Sequence, residues 1–207
     1  MKRVSIFALI LLLVTTFAYG SGAVIKRRSV ATYVPSVMID DYYPESNSSA
    51  DSGWYLKVDG ATEIGNSFTS AGGVLDSAKF YLKKFGTVTG NMRVLVYGHS
   101  GTYGDSSIAD NTALLATSDN VSVSGLTTSL ALITFDFTGA QRITLTSGYY
   151  VVVCKFNDMG DNSNYIFVGA DTTSSTHSGN AVYYTAGESG WGAYNPEDII
   201  FYVYVVR

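Results

Sequence analysis

The sequence predicts an all-β protein, a two-sheet antiparallel β-sandwich. Three observations lead there. The 207 residues include 21 Gly and 16 Tyr, with Ser and Thr abundant and charged residues only 14%, a balance that suits short strands joined by many turns. From Trp54 onward, apolar and polar residues alternate with a period of two in several windows, the mark of half-buried strands. After residue 20, no window holds a helical apolar period for three turns. Many strands with turn signals between them fit two packed sheets.

The chain opens on a segment of a different kind. Lys2-Arg3, an apolar run over residues 4–17 and Ala18-Tyr19-Gly20 have the charged, apolar and small-residue parts of an export signal, with cleavage expected before Ser21. The apolar run is shorter than the ~20 residues that span a bilayer. Lys26-Arg27-Arg28 is an unusual flank for a cleaved signal, and an uncleaved anchor is the rival reading. The expected product is secreted, with no stable membrane insertion after signal cleavage. Without Lys2 and Arg3, 11 basic residues face 17 acidic ones, a net charge of about −6. Nucleic acid and anionic lipid reward basic surfaces, so neither is an expected partner.

Residues 30–39 (Val-Ala-Thr-Tyr-Val-Pro-Ser-Val-Met-Ile) are β-prone, and the polar stretch 45–52 after them reads as a linker. Residues 21–52 are therefore expected as an arm and linker, with the domain over 53–207. Val30, Thr32, Tyr33, Val34, Val37, Met38 and Ile39 are the candidate assembly residues of the arm. Pro35 removes one ladder donor, which suits an edge position, and edge strands serve strand exchange between subunits. The alternative is that the segment closes its own domain as a first strand.

The strands follow in order. Ala78, Phe80 and Leu82 share one face of 77–83. Met92, Val94 and Val96 share one face of 91–97, and Ile133, Phe135 and Phe137 one face of 132–137. Residues 149–156 and 199–206 are continuous apolar runs, as central strands are. Shorter candidates are 64–69, 114–117, 121–123, 143–145, 165–168 and 181–184. The long loops are expected at 99–112, 157–164 and 187–198. Cys154, the only cysteine, lies in the run Tyr149 to Cys154 and is expected to be a buried thiol acting as a small hydrophobe. With no disulfide, the fold must be held by its core, a metal or oligomerisation.

The windows Ile64-Gly65-Asn66-Ser67-Phe68-Thr69, Leu75 to Lys84 and Thr89 to Tyr97, together with Leu114 to Ser118, Leu145 to Tyr150 and Gly179-Asn180-Ala181, resemble a jelly-roll module of extracellular and phage-associated proteins, of choice-of-anchor or carbohydrate-binding-like type. The resemblance covers about residues 54–206. It implies a jelly-roll fold and an extracellular setting, and it carries no catalytic residue over.

Constellations that bear chemistry are few. Gly98-His99-Ser100-Gly101 misses the Gly-x-Ser-x-Gly elbow by one residue, and no strand-turn-helix follows. His99 and His177 lack partners at zinc-ligand spacing. Glu45, Glu63, Glu188 and Glu197 stand in no recognisable glycosidase setting. No enzymatic activity is expected. Asp158, Asp161, Asn162 and Asn164 make an oxygen-rich loop of the kind Ca²⁺ takes, although tight turns use the same residues; no other cofactor is implied. Tyr103, Glu188, Trp191, Tyr194 and Asn195 form the candidate ligand-binding set, since aromatics beside amide and acid groups stack on sugars and bond their hydroxyls. The competing reading is that Trp191 caps the open end of the sandwich. Asn47-Ser48-Ser49 and Asn120-Val121-Ser122 match the glycosylation sequon. Two function classes follow: a secreted structural subunit that self-associates through the arm, with a filament as one form of the assembly, and a carbohydrate-binding or adhesive module that uses the loop aromatics to hold a glycan. The first is favoured, because a lone binding module normally rides on another domain.

Overall fold

The computed structural model describes residues 33–49, 52–158, 161–185, 187 and 190–207. The export signal, Val30 and Thr32 of the arm, and Glu188 lie outside these residues. Residues 35–207 form one unit; Tyr33 and Val34 belong to an N-terminal unit and are exposed.

The unit is all-β. Its strands are β1 (Val37–Tyr43), β2 (Gly53–Leu56), β3 (Ala61–Phe85), β4 (Asn91–Ser100), β5 (Ile108–Thr117), β6 (Val121–Ser122) and β7 (Ala131–Asp136). They continue with β8 (Thr144–Phe156), β9 (Tyr165–Asp171), β10 (Ala181–Thr185), β11 (Gly190–Tyr194), β12 (Asp198–Ile199) and β13 (Phe201–Val206). Short 3₁₀ turns lie at Glu45–Asn47, Val123–Gly125 and Gly139–Gln141. All are joined in one large mixed sheet. The ladders are antiparallel except for a single parallel bridge between Leu56 and Ala61, so the purely antiparallel expectation fails at one point.

Strand β3 organises the sheet. Its first half pairs with β10 on one side and β8 on the other. Its second half pairs with β7 on one side and with β13 and then β9 on the other. Between the halves, Gly72 and Gly73 have φ of 97° and 134°, a region side-chain-bearing residues rarely enter. Read from sequence, this glycine pair separates two strands. In the structure it bends one 25-residue strand without reversing it.

Side chains from both halves meet in one core. Phe68, Val94, Val152 and Cys154 come from the first half, and Ala78, Phe80, Phe135, Phe201 and Val203 from the second; all are fully buried. Each large side chain buried in this way contributes about 1.5–3 kcal/mol. Cys154 is buried as expected, and its thiol donates to the Ile64 carbonyl oxygen at 3.3 Å. The alternations at 77–83 and 91–97 place Ala78, Phe80, Leu82, Met92, Val94 and Val96 in the core. The other face of β4 is buried too. Leu95 and Tyr97 join Val151, Val153, Val182 and Ala109 in a second, smaller cluster against which Trp191 packs.

Three segments differ from their expected form. The loop expected at 99–112 is partly strand, since β4 runs to Ser100 and β5 starts at Ile108. The loop expected at 187–198 holds β11, whose residues pair with all of β10. The described part of the expected linker is fastened down. Ser49 donates its N–H to the Ala170 carbonyl oxygen and its hydroxyl to Asp171, and Ala170 donates to the Ser52 carbonyl oxygen.

Candidate functional site

The C-terminal part of the expected arm is in β1, which pairs antiparallel with β13 of the same chain, Val37 with Val206, Met38 with Val205 and Ile39 with Tyr204. This is the alternative the sequence left open, an intramolecular strand, and the physical reason is the apolar C-terminal run that offers it a ladder. Ser36 and Arg207 exchange both backbone bonds. In an antiparallel ladder, inward and outward pairs alternate, so Val37 and Ile39 turn their N–H and C=O groups to the open edge. Among the described residues β1 pairs with no second strand.

The outward face of this edge is apolar and aromatic. Val37, Ile39 and Tyr42 are 56%, 43% and 48% exposed. Tyr42 lies beside Tyr202 with ring centroids 5.4 Å apart and planes 19° apart, and Tyr202 beside Tyr204 at 6.2 Å. Lys79 places its ammonium 5.1 Å from the Tyr204 ring. The Tyr202 hydroxyl donates to Glu45, which holds that carboxyl below its usual range. Burial, reinforced by the Glu45 bond, pushes the Tyr202 phenol up.

Behind this face, at a bulge between Ile39 and Asp41, two carboxylates turn inward. The Thr69 and Ala71 N–H groups point toward β1 rather than into a ladder, and the Asp41 and Asp40 carboxylates accept them at 2.8 and 3.1 Å. Asp40 also receives the Ser70 hydroxyl and the Arg207 guanidinium, and Arg207 Nε donates to the Gly72 carbonyl oxygen. Arg207 thus ties β1 to the Gly72 region of β3.

The network continues through His177, whose side chain is 7% exposed. Its Nδ1 accepts the Gly179 N–H at 3.0 Å, which leaves Nε2–H to donate to Asp41 at 3.2 Å. Ser175 gives its hydroxyl to Asp198 rather than to the imidazole, and Asn66 and the His177 N–H bond the same carboxylate at 3.1 and 3.0 Å. Burial raises the Asp198 carboxyl despite these bonds. Burial alone would raise Asp171 as well, but donors from Thr173, Tyr43 and Ser174 outweigh it and hold that carboxyl at about 2. Both ring nitrogens of His177 are engaged and no hydroxyl is aimed at them, so the cluster has the geometry of a structural lock rather than of a nucleophile and its base.

The aromatics singled out from sequence fall into three separate places. Trp191 stands between Tyr97 and Tyr184, edge-on at 5.4 and 5.3 Å, and donates its indole N–H to Asn111. Tyr194 projects from the opposite face of β11 against Trp54 at 5.8 Å, and Trp54 donates to Glu197 at 2.7 Å. Tyr103 stacks on Tyr149 at 4.2 Å with planes 13° apart. Asn195 is exposed in the turn after β11. The structure therefore does not gather Tyr103, Trp191 and Tyr194 into one platform. Trp191 and Tyr194 part because β11 is a strand, whose residues at odd spacing face opposite ways, and Tyr103 lies between β4 and β5.

The oxygens of the expected calcium loop are used locally. Asp158 accepts from Asn91 N–H at 3.3 Å, Asp161 from Ser163 N–H at 2.7 Å, and Asn164 from Thr87 N–H at 2.7 Å. Asn162 is exposed in the same turn. Among the described residues no group of three or more His, Cys, Asp and Glu is arranged to hold a metal ion. Also among them, no helix is long and apolar enough to cross a membrane.

Sequence reasoning missed the Asp40–Asp41–Arg207 lock. The available signal was an acidic doublet between Ile39 and Tyr42 inside an otherwise β-prone stretch. No family model, curated protein or solved structure matches the chain.

Proposed function

We propose that the chain is a secreted, non-catalytic structural subunit that self-associates into an extracellular or cell-surface assembly. The fold reading that goes with it is a jelly-roll-type sandwich, in which the two halves of β3 belong to facing sheets. What supports assembly is one observation: the strand that holds the C-terminal part of the candidate arm is an edge strand with an exposed apolar face. Val37 and Ile39 offer outward backbone groups, and Val37, Ile39 and Tyr42 offer exposed side chains. Edges of this kind pair with other chains unless they are blunted. The features of β1 that blunt an edge, the bulge and the inward-turned Asp40 and Asp41, lie past Ile39 and leave residues 37–39 open. Strand addition at this edge uses backbone bonds for affinity and alternate side chains for register.

The test is the state of the protein purified from culture medium, followed by negative-stain microscopy and sedimentation. The wild type is expected to form oligomers or fibres. Val37→Pro removes one outward N–H and leaves the bonds to β13 intact, so it is expected to give a folded monomer. A wild type that stays monomeric at high concentration, or a Val37→Pro variant that assembles as well as the wild type, overturns the proposal.

A further inference from the structure

A row of four side chains crosses the first half of the sheet. Tyr184 on β10 stands opposite Glu63 on β3, Glu63 opposite Lys155 on β8, and Lys155 opposite Arg93 on β4. Residues directly opposed in neighbouring strands share a face. This face continues into Val182, Val153 and Leu95, the small cluster against which Trp191 packs. Trp191 is itself the cross-strand partner of Tyr184. The row therefore has an aromatic wall at one end and a guanidinium at the other.

The charges along it do not balance. Lys155 donates to one Glu63 oxygen at 2.7 Å and the Tyr97 hydroxyl to the other at 3.2 Å, with Glu63 only 4% exposed. That pair neutralises itself. Arg93 is the next residue in line, and among the described residues no carboxylate forms an ion pair with it. Its Nε is buried and meets no hydrogen-bond partner. That atom is closed to an outside ligand, so an acceptor must come to the terminal amino groups of this half-buried side chain. A guanidinium fork matches a planar carboxylate with two parallel bonds. One uncompensated cation on a face fits a singly charged group, not a run of phosphates. The three strand spacings from Tyr184 to Arg93 cover about 14 Å, longer than one sugar ring. Aromatic walls of Tyr and Trp take the apolar face of a ring while their polar tips stay wet.

We propose that this row binds an acidic oligosaccharide, with the Arg93 guanidinium holding a uronic-acid carboxylate and the Tyr184–Trp191 wall holding a neighbouring ring. The site lies on β10, β3, β8 and β4, away from the β1–β13 edge, so it stands or falls independently of self-association.

The experiment is titration calorimetry of the full chain at low salt with trigalacturonate, maltotriose and inorganic phosphate. Trigalacturonate is expected to bind, maltotriose at least ~10-fold more weakly, and phosphate not to displace the acid sugar. Arg93→Met is expected to weaken trigalacturonate at least ~10-fold while its melting temperature stays level or rises, because an unsatisfied buried donor is removed. Arg93→Lys keeps the charge without the fork and should fall between the two. Failure of the wild type to bind trigalacturonate overturns the proposal, as do equal affinity for maltotriose and displacement by phosphate. So does an Arg93→Met or Arg93→Lys variant that binds like the wild type. A sharp drop in melting temperature for both Arg93 variants also overturns it, since Arg93 would then be a structural residue.

Discussion

Removing the Arg207 side chain should loosen the junction of β1, β3 and β13 well beyond what an ordinary surface change does. The Asp40 side chain has no accessible surface, whereas that of Arg207 is 31% exposed. Asp40 accepts from Arg207, the Ser70 hydroxyl and the Ala71 N–H. Breaking a buried pair by deleting one partner costs about 3–5 kcal/mol, because a charge is left buried and uncompensated. Here two neutral donors remain on the carboxylate and water reaches the guanidinium side. Arg207→Ala is therefore expected to cost less than that range, about 2–3 kcal/mol, and to lower the melting temperature by about 5–10 °C for a chain of this size.

Urea unfolding followed by circular dichroism measures the loss directly, and a double-mutant cycle with Asp40→Asn isolates the pair. Asp40→Asn alone should be destabilising, and the two changes together should cost clearly less than their sum, by at least about 1 kcal/mol. Arg207→Lys keeps a charge but loses the fork that reaches Asp40 and the Gly72 carbonyl at once, so it should recover only part of the stability. A loss below about 0.5 kcal/mol for Arg207→Ala, the size of an ordinary surface change, or strict additivity in the cycle, would refute the reasoning.

Two further predictions rest on single environments. Asp171, held at about 2, is depressed in the folded chain, so its contribution is complete above the unfolded value near ~3.9 and is lost as pH falls through the folded one; it amounts to at most ~2.6 kcal/mol. Asp198, raised by burial, works the other way, so the cleanest readout is urea midpoints of the wild type against Asp171→Asn at pH 7, 4 and 2, where the gap should narrow as pH falls; a constant gap refutes the assignment. A Cβ added at Gly192 would lie 2.2 Å from Cζ of Tyr183, so Gly192→Ala must push that ring from its place 5.0 Å from Trp54. It should cost about 1–2 kcal/mol and change the near-ultraviolet dichroism, and an unchanged spectrum would contradict it.

What the sequence revealed and what it hid divide along physical lines. Periodicity reports whether successive side chains face water or core, and it served where that contrast is local. Ala78, Phe80 and Leu82 alternate with Lys79, Tyr81 and Lys83, and the structure buries the first three completely. It was incomplete on β4, where it set Met92, Val94 and Val96 on one face and did not show that Leu95 and Tyr97, on the other, are buried as well. They are buried by Val182, Ala109 and Trp191 from strands distant in sequence, and no local pattern encodes such a cover. Glycine was ambiguous for a similar reason. The pair Gly72–Gly73 signals a departure from ordinary φ, and a bend within one strand and a turn between two strands need the same freedom.

The polar elements were the hardest to read. Asp40, His177, Asp198 and Arg207 are separated by up to 167 residues, and each alone resembles a solvated surface residue. Their roles arise because the Thr69 and Ala71 N–H groups point toward β1 rather than into a ladder, and the fully buried Asp40 carboxylate needs donors and a cation around it. The acids at the β1 bulge accept those N–H groups and tie β1 to β3, while the ladder to β13 leaves Val37 and Ile39 facing outward. The edge on which the assembly reading depends is thus held by side-chain bonds from β1 to β3. Changes at Asp40 or Asp41 should therefore disturb self-association without touching the exposed face itself.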